Sequence, residues 1–463
     1  MQYASFDLGF DRSMVSKGSL DVVSKLREAG YDGYLVGGCV RDLLLGVTPK
    51  DFDVTTNATP EQVKSVFPRG RIIGRRFKIV HVRYGREIVE VSTYRAAPKP
   101  IKKSWFGFRS RKSAQGSGRI RDDNVFGTLE DDVMRRDFTV NAIYYDPVDE
   151  SVLDFVDGVG DAGAGRLSMI GDVSQRFIED PVRMLRVIRF EAKLDLAVDE
   201  NIRTLLVQHV GLLSDVPPAR LFDEVLKLFH HSYGVATWML LKHYGVLNVL
   251  FPLCFERDEP HNEAMILAAL ENTDRRISQG KPVIPSFLFA ALLWWPFKEK
   301  YDNLLGQGVP GNEAIWVAAD DIFATQSRRV SVPRRVSTPA IEIWSLQARL
   351  EQRRPRVIDR LLENRRFRAA YDFMLLRQVN GEVDESLARW WTEIQELGFT
   401  ERRKMIRALS PNRSHRSSGK KQGASMERPG GADIGNASDS PAPGKKRRRR
   451  PRKRRPKQSG QSD

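Results

Sequence analysis

Cysteine is nearly absent from this chain: two thiols in 463 residues, Cys39 and Cys254, exclude a disulfide framework and any four-thiolate zinc site. Long apolar runs are missing too. A bilayer-spanning helix needs about 20 apolar residues, and the best stretch, residues 283–297, is shorter and interrupted by Pro285 and Pro296. The N-terminus, MQYASFDLGFDRS, lacks the basic stretch and apolar run of a secretory signal. Histidine is scarce, and its seven copies show no metal-ligand spacing; His230-His231 reads as a helix end. These absences predict a soluble chain of the cytoplasm, with no disulfide and no cysteine- or histidine-held metal.

Basic charge is what the sequence has in excess, 75 Lys+Arg against 59 Asp+Glu for a net +16. It is unevenly spread. Residues 411–463 hold 16 basic and 4 acidic groups, a net +12, which leaves only +4 on the preceding 410 residues. The run 445–457, KKRRRRPRKRRPK, has eleven basic residues and two prolines. Like charges at that density repel and extend the chain, so residues 410–463 are expected to be a disordered basic tail that either meets RNA phosphate or serves as a solubilising or partner-docking segment. Arg448, Arg449, Arg450, Arg452, Lys453, Arg454 and Arg455 are its expected RNA contacts. At about 150 residues per domain, the length suggests roughly three domains.

Residues 19–95 alternate helix and strand signals. SLDVVSKLREAG (19–30) has helical spacing and a closing glycine. DFDVTT (51–56) reads as a strand. Thr59-Pro60-Glu61-Gln62 is a capping box with proline at the first helical position. IVHVRY and IVEVST, joined by Gly85-Arg86, form a hairpin. Residues 98–121, rich in Lys and Arg, with Gly and Ser but without an acid, are expected to be a flexible basic loop. From about residue 178 to 407 nearly every segment has helical periodicity.

Four clusters carry chemistry. On a strand, Asp51 and Asp53 share one face while Phe52 and Val54 take the other. Two adjacent carboxylates repel, and a hard divalent cation relieves them; the bland alternative is a solvated acidic edge. Gly37-Gly38 ends a short strand (YLV) and opens a helix, leaving backbone N–H groups bare for an anion. Glu90 lies opposite Val89 and Val91 on its strand, placed either as a third metal ligand or as an exposed strand glutamate. Arg135-Arg136-Asp137 with Asn141 supplies guanidiniums suited to phosphate and ribose oxygens, and otherwise reads as a surface ion cluster.

The order GGCVRD (37–42), DFD (51–53), RRDFTVNA (135–142) and EDPVRMLRVIRF (179–190) resembles the class II nucleotidyltransferase superfamily, which holds the bacterial poly(A) polymerases and the CCA-adding tRNA nucleotidyltransferases. Within it, IIGRRFKIVHV (72–82), FLFAALLWWP (287–296), FRAAYDFMLLR (367–377) and the basic tail are similar to the poly(A) polymerase branch. Cys39 departs from the small residue common in the family, and nothing catalytic is read from it.

That resemblance implies an α+β head with a polymerase-β-like sheet, then an all-α neck and body. The expected divisions are a leader (1–18), catalytic head (19–165), nucleotide-selecting neck (166–250), RNA-binding body (251–409) and tail (410–463). It implies addition of AMP from ATP to RNA 3′ ends without a template, releasing pyrophosphate, in mRNA polyadenylation and RNA turnover. Asp51 and Asp53 would hold two Mg²⁺ ions, with Mn²⁺ as substitute, and Glu90 or Asp137 would complete the acidic set. Gly37, Gly38 and Arg41 face the triphosphate, with Arg135 and Arg136, and Asn141 the sugar; Arg41 could equally pair with Asp42 or Asp51. Asp137 is expected to orient Arg135, Arg136 or metal-bound groups. Asp180 and Arg183 match the positions that read the base edge, and Arg189 is expected on a solvated face. Arg75 and Arg76 are read as RNA contacts. Expected partners are RNA 3′ ends, ATP, and RNA-degradation or RNA-chaperone proteins, for a monomeric enzyme. The alternatives are a CCA-adding enzyme or a non-catalytic RNA-binding protein on the same scaffold.

Overall fold

A computed structural model describes residues 1–74, 78–96, 125–255 and 260–409. Arg75, Arg76, the 98–121 loop and the whole tail, including Arg448, Arg449, Arg450, Arg452, Lys453, Arg454 and Arg455, lie outside the described residues.

Eight short strands build one twisted sheet: β1 (Gln2–Ala4), β2 (Tyr34–Val36), β3 (Asp53–Thr56), β4 (Arg71–Ile73), β5 (Ile79–Tyr84), β6 (Glu87–Thr93), β7 (Ile143–Asp146) and β8 (Ser151–Asp154). Their order is β1-β8-β7-β2-β3-β6-β5-β4. Every pairing is antiparallel except β3 with β6, which run parallel with Asp53 opposite Glu90 and Val54 opposite Val91.

Alternation decides which face is covered. Val54, Val80, Val82, Val89 and Val91 turn to one side and pack with Val22, Val23 and Leu26 of α1 (Lys17–Glu28) and Val63. Asp53, Glu90 and Ser92 are left on the opposite side. Between β2 and β3 runs α2 (Gly38–Leu44), and after β3 comes α3 (Pro60–Val66), where the Thr59–Gln62 capping box forms as expected. The β5–β6 turn is the expected Gly85-Arg86 hairpin, with Tyr84 opposite Glu87.

Three expectations shift. The strand at 51–56 begins at Asp53, so Asp51 and Phe52 precede it, yet Phe52 is still buried and Asp51 exposed. The first helix starts at Lys17 rather than residue 19, because the Ser16 hydroxyl caps Ser19 N–H at 3.1 Å. Residues 1–18 do not form a separate leader. β1 extends the sheet beside β8, and Phe10 packs edge-on against Tyr145 at 5.1 Å, 2% exposed.

Beyond the sheet the chain is mostly helical, through α4 (Leu129–Arg135), α5 (Gly158–Gly163), α6 (Val173–Glu179), α7 (Val182–Leu194), α8 (Glu200–His209), α9 (Pro218–Phe229) and α10 (Gly234–His243), and onward to Phe399–Ala408, with one short parallel pair of strands, Arg166–Leu167 beside Ala197–Val198. Trp294 is buried and Trp295 packs beside it, both in the core as their apolar neighbourhood predicts. His230 closes α9 as a helix end. One apolar core runs without interruption from Phe138 and Val140 to Phe373 and Leu376. A second fills the sheet's covered side, and a third lies under residues 346–406.

Candidate active site

A cleft of about 360 Å³ opens over the uncovered side of the sheet, lined by Val36, Gly37, Gly38, Arg41, Asp53, Ile79, Glu90, Ser92, Arg136, Asp137, Asn141, Arg186 and Phe190. The parallel β3–β6 register creates its floor, bringing Asp53 and Glu90 side by side although they are far apart in sequence. The cleft walls desolvate the Asp53 carboxyl, although the residue as a whole is exposed, and push it up to about 6; Glu90 and Asp51 add to the rise and Arg136 opposes it. Glu90 also meets His81 Nε2 at 3.1 Å.

Among the described residues no three His, Cys, Asp or Glu are gathered closely enough to hold a metal ion by themselves. The donor set still fits a hard divalent cation. Mg²⁺ needs only one or two carboxylates when water and substrate phosphates fill the rest of its octahedron, and Asp53 beside Asp51 and Glu90 is the crowded acid such an ion would relieve.

Backbone geometry shapes the phosphate side. Gly37 takes φ 80° and ψ −127°, a conformation that side chains resist, and so turns β2 sharply into α2. Arg41 makes the expected pair with Asp42 and also lines the cleft. Its Nε and Nη2 donate to Asp42 Oδ1 at 2.9 and 2.6 Å, Nη1 donates to Asn141 Oδ1 at 2.6 Å, and it still lines the cleft.

Arg136 is fixed from behind. Its Nε and Nη2 donate to Asp132 Oδ2 at 3.1 and 2.9 Å, Nε also reaches the Tyr144 hydroxyl at 2.9 Å, and Nη1 donates to the Asn141 carbonyl at 3.2 Å. Tyr144 O–H in turn donates to Asp132 at 2.8 Å. The carboxylate that orients Arg136 is therefore Asp132, four residues back on α4, so of the roles expected of Asp137 the orienting of Arg136 falls to another residue. Asp137 instead ion-pairs with Arg186 of α7. Burial would raise its pKa, but Arg186 and the hydrogen bond between them hold the carboxyl below the usual carboxylate range.

Arg186 and Phe190 were not singled out as site residues in the sequence, yet both line the cleft. Phe190 is 7% exposed and carries the guanidiniums of Arg41, Arg186 and Arg189 over its ring at 5.5, 5.8 and 5.2 Å. Arg189 is thus half-buried rather than solvated, and burial, with Arg186 nearby, lowers its pKa.

Asp51, Asp180, Arg183 and Arg135 lie outside the lining of this cleft. Asp180 accepts two bonds from Arg220 at 2.8 and 2.7 Å. Arg183 donates to Glu179 at 3.0 Å and to the Arg176 carbonyl at 2.8 Å. Cys39 is buried, and desolvation pushes its thiol up to about 12.

Comparison with known proteins agrees along the length of the chain. The family described as "Poly A polymerase head domain" matches residues 33–168, "Probable RNA and SrmB- binding site of polymerase A" residues 195–256, and "Polymerase A arginine-rich C-terminus" residues 307–455. Poly(A) polymerase I of Haemophilus influenzae is 41% identical over 398 residues, 84% of this chain and 87% of that protein. A CCA-adding enzyme of Lactobacillus delbrueckii subsp. bulgaricus is 35% identical, but over only 45% of this chain and 49% of its own. The crystal structure of the Bacillus stearothermophilus CCA-adding enzyme in complex with CTP superposes with a TM-score of 0.54 at 23% identity, covering 82% of each chain, which shows a shared nucleotidyltransferase fold.

Proposed function

The chain belongs to the bacterial poly(A) polymerase I family and is a nucleotidyltransferase, and on that premise we propose that it adds AMP from ATP to RNA 3′ ends without a template, releasing pyrophosphate. The observation that carries this reading is the register of β3 and β6, which sets Asp53 against Glu90 on the floor of a cleft walled by arginines.

Asp51 and Asp53, with Glu90 beside them, would hold two divalent cations, Mg²⁺ or Mn²⁺, which when bound acidify the attacking 3′-hydroxyl and neutralise charge on the leaving pyrophosphate. The rest falls to the chain itself. Gly37-Gly38 lets phosphate oxygens approach bare backbone. Arg136, pre-oriented by Asp132 and Tyr144, and Arg41, held by Asp42, face the same anion without having to reorganise. Asn141 serves the sugar while bracing both arginines through its side-chain and backbone oxygens. Asp137 positions Arg186 at the cleft wall. Asp180 and Arg183 are assigned to the base edge by their place in the family pattern, with Arg220 fixing Asp180.

As functional regions we assign a head over 19–165, whose sheet β1 also joins, a neck over 166–250, a body over 251–409 and a tail over 410–463. We place the enzyme in the cytoplasm as a monomer, acting in mRNA polyadenylation and RNA turnover alongside RNA-degradation or RNA-chaperone proteins; no helix among the described residues is long and apolar enough to cross a membrane. Single-nucleotide incubations with a generic RNA test the reaction. ATP alone should give a long tail; no tail from ATP alone, with three residues ending in A added only to tRNA once CTP is also present, would refute it in favour of CCA addition. Asp53→Asn should abolish incorporation while RNA binding stays within about twofold.

A further inference from the structure

The turn between α9 and α10 carries two aromatic rings that the proposed reaction does not use. His231 and Tyr233 stack with their ring centroids 5.5 Å apart and their planes within 14° of parallel. His231 is exposed and Tyr233 half-buried, so the imidazole is the outer ring of the pair. We propose that this turn, together with Arg189 and Lys193 of α7, is a stacking platform for one base of the RNA primer, upstream of its 3′ end. The proposal rests on the reading of the chain as an RNA-tailing enzyme and adds where the primer leaves the cleft.

The turn is built to hold its rings still. The N–H groups of Gly234 and Val235 donate to Asp274 Oδ1 and Oδ2 at 2.8 and 3.1 Å. His230 Nδ1 meets the Leu226 carbonyl at 3.2 Å, and the Thr237 hydroxyl donates to the Tyr233 carbonyl at 2.8 Å. A surface fixed before binding loses less freedom when a ligand settles on it.

Charge supplies the other half. Arg186, Arg189 and Lys193 follow one another at three- and four-residue steps and so form one stripe along α7. Arg186 lines the cleft, and at 1.5 Å per residue the stripe leads about 10 Å away from it to Lys193. The acids near this stripe are already engaged: Asp137 by Arg186, Asp42 by Arg41 and Glu224 by Lys227. Arg189 lies over the Phe190 ring, and among the described residues neither it nor Lys193 has an ion-pair partner. Although His231 as a whole is exposed, its surroundings desolvate the imidazole and hold its pKa below the ordinary value; Arg189 and Lys193 add to that, with His230 and Lys50. The ring is therefore uncharged at neutral pH and free to stack as an aromatic. Burial raises the pKa of Tyr233, and Arg189 and Arg41 oppose it, which puts the platform within electrostatic reach of the cleft.

A stacked aromatic pair flanked by cations without acid partners is the composition of a groove for single-stranded nucleic acid. The ring accepts any base, and the guanidinium and ammonium take the phosphates beside it. The platform could instead stack the adenine of the incoming nucleotide, and the test separates the two.

Full-length enzyme is assayed with ATP and oligoadenylate primers carrying one abasic residue, scanned over the last six positions. In the wild type one position upstream of the terminal nucleotide should raise the KM for RNA about tenfold, within the range of a lost base–aromatic stack. His231→Ala should raise the KM of the intact primer by a similar factor, lose the penalty at that position and leave the KM for ATP within about twofold, whereas His231→Phe should restore the wild-type pattern. Arg189→Gln and Lys193→Gln should each reduce the logarithmic salt slope of RNA binding by about 0.7. A flat abasic scan in the wild type would overturn the proposal even if a variant failed to fold, and so would a raised ATP KM with the RNA KM unchanged, which would give the platform to the nucleotide. If the wild type extends no RNA at all, the tailing reading fails, and the same scan read by fluorescence anisotropy without ATP still decides the platform.

Discussion

Gly37 and Gly38 sit side by side and do different work. A Cβ at Gly37 would find ordinary space, its nearest neighbour being Arg136 Nη1 at 3.6 Å, so the constraint there is the backbone at φ 80°. Such strain costs on the order of 1–3 kcal/mol, and Gly37→Ala should lower the melting temperature. Gly38 starts α2 without that strain, and a methyl there would lie 3.5 Å from Arg41 Nη2, inside the cleft. Gly38→Ala should melt close to the wild type and raise the KM for ATP. Asp53 makes a different prediction. Its pKa in the fold, about 6, exceeds the ordinary 3.8, so folding favours the protonated acid; that contribution is complete below the lower value and lost as pH rises through the higher one. Stabilisation by Mg²⁺ should therefore grow from about pH 5 to about pH 7. The thermal shift between EDTA and Mg²⁺ measures it, and in Asp53→Asn the pH dependence should flatten.

Single elements were legible in the sequence wherever the determining interaction is local. The Thr59–Gln62 capping box, the Gly85-Arg86 hairpin and the outward-facing Asp53 and Glu90 all follow from residues within a few positions of one another. Alternation gave each carboxylate its face; it could not give their meeting, because the parallel pairing of β3 with β6 depends on how the intervening segments fold. The partners of Arg136 and Asp137 escaped for the same reason. A run of Arg, Arg and Asp suggests mutual pairing, whereas Asp132 reaches Arg136 across one helical turn and Arg186 comes to Asp137 from α7. Only the first left a trace, the four-residue spacing on α4. Arg189 looked solvated because Phe190, which draws three guanidiniums to itself, is invisible in an amphipathic pattern. The Arg186–Asp137 pair joins α7 to the segment entering the sheet, and a double-mutant cycle with Arg186→Gln and Asp137→Asn should give a coupling of about 1–3 kcal/mol in unfolding. A value near zero would make it an ordinary surface pair.

At the scale of the molecule, two features act over long distances. The basic tail accounts for +12 of the net +16, and deleting residues 440–463 should weaken RNA binding and flatten its dependence on salt, by about 0.7 in logarithmic slope for each phosphate the tail had neutralised; an unchanged slope would remove the tail from the RNA interface. The second feature is the core that begins at Phe138, beside the catalytic cleft, and is closed by Phe373 and Leu376. Phe138 is fully buried and stacks edge-on against Phe190 at 5.3 Å, so Phe138→Ala should cost about 3–5 kcal/mol in chemical denaturation. That continuity also bears on synthesis. A ribosome that stalls before residue 373 releases a chain whose nucleotide site is fully encoded but whose largest core lacks part of its cover, a ready substrate for proteases. Chains truncated before residue 373 should therefore be cut by proteases faster than the full chain, although the proposed nucleotide site is complete in their sequence.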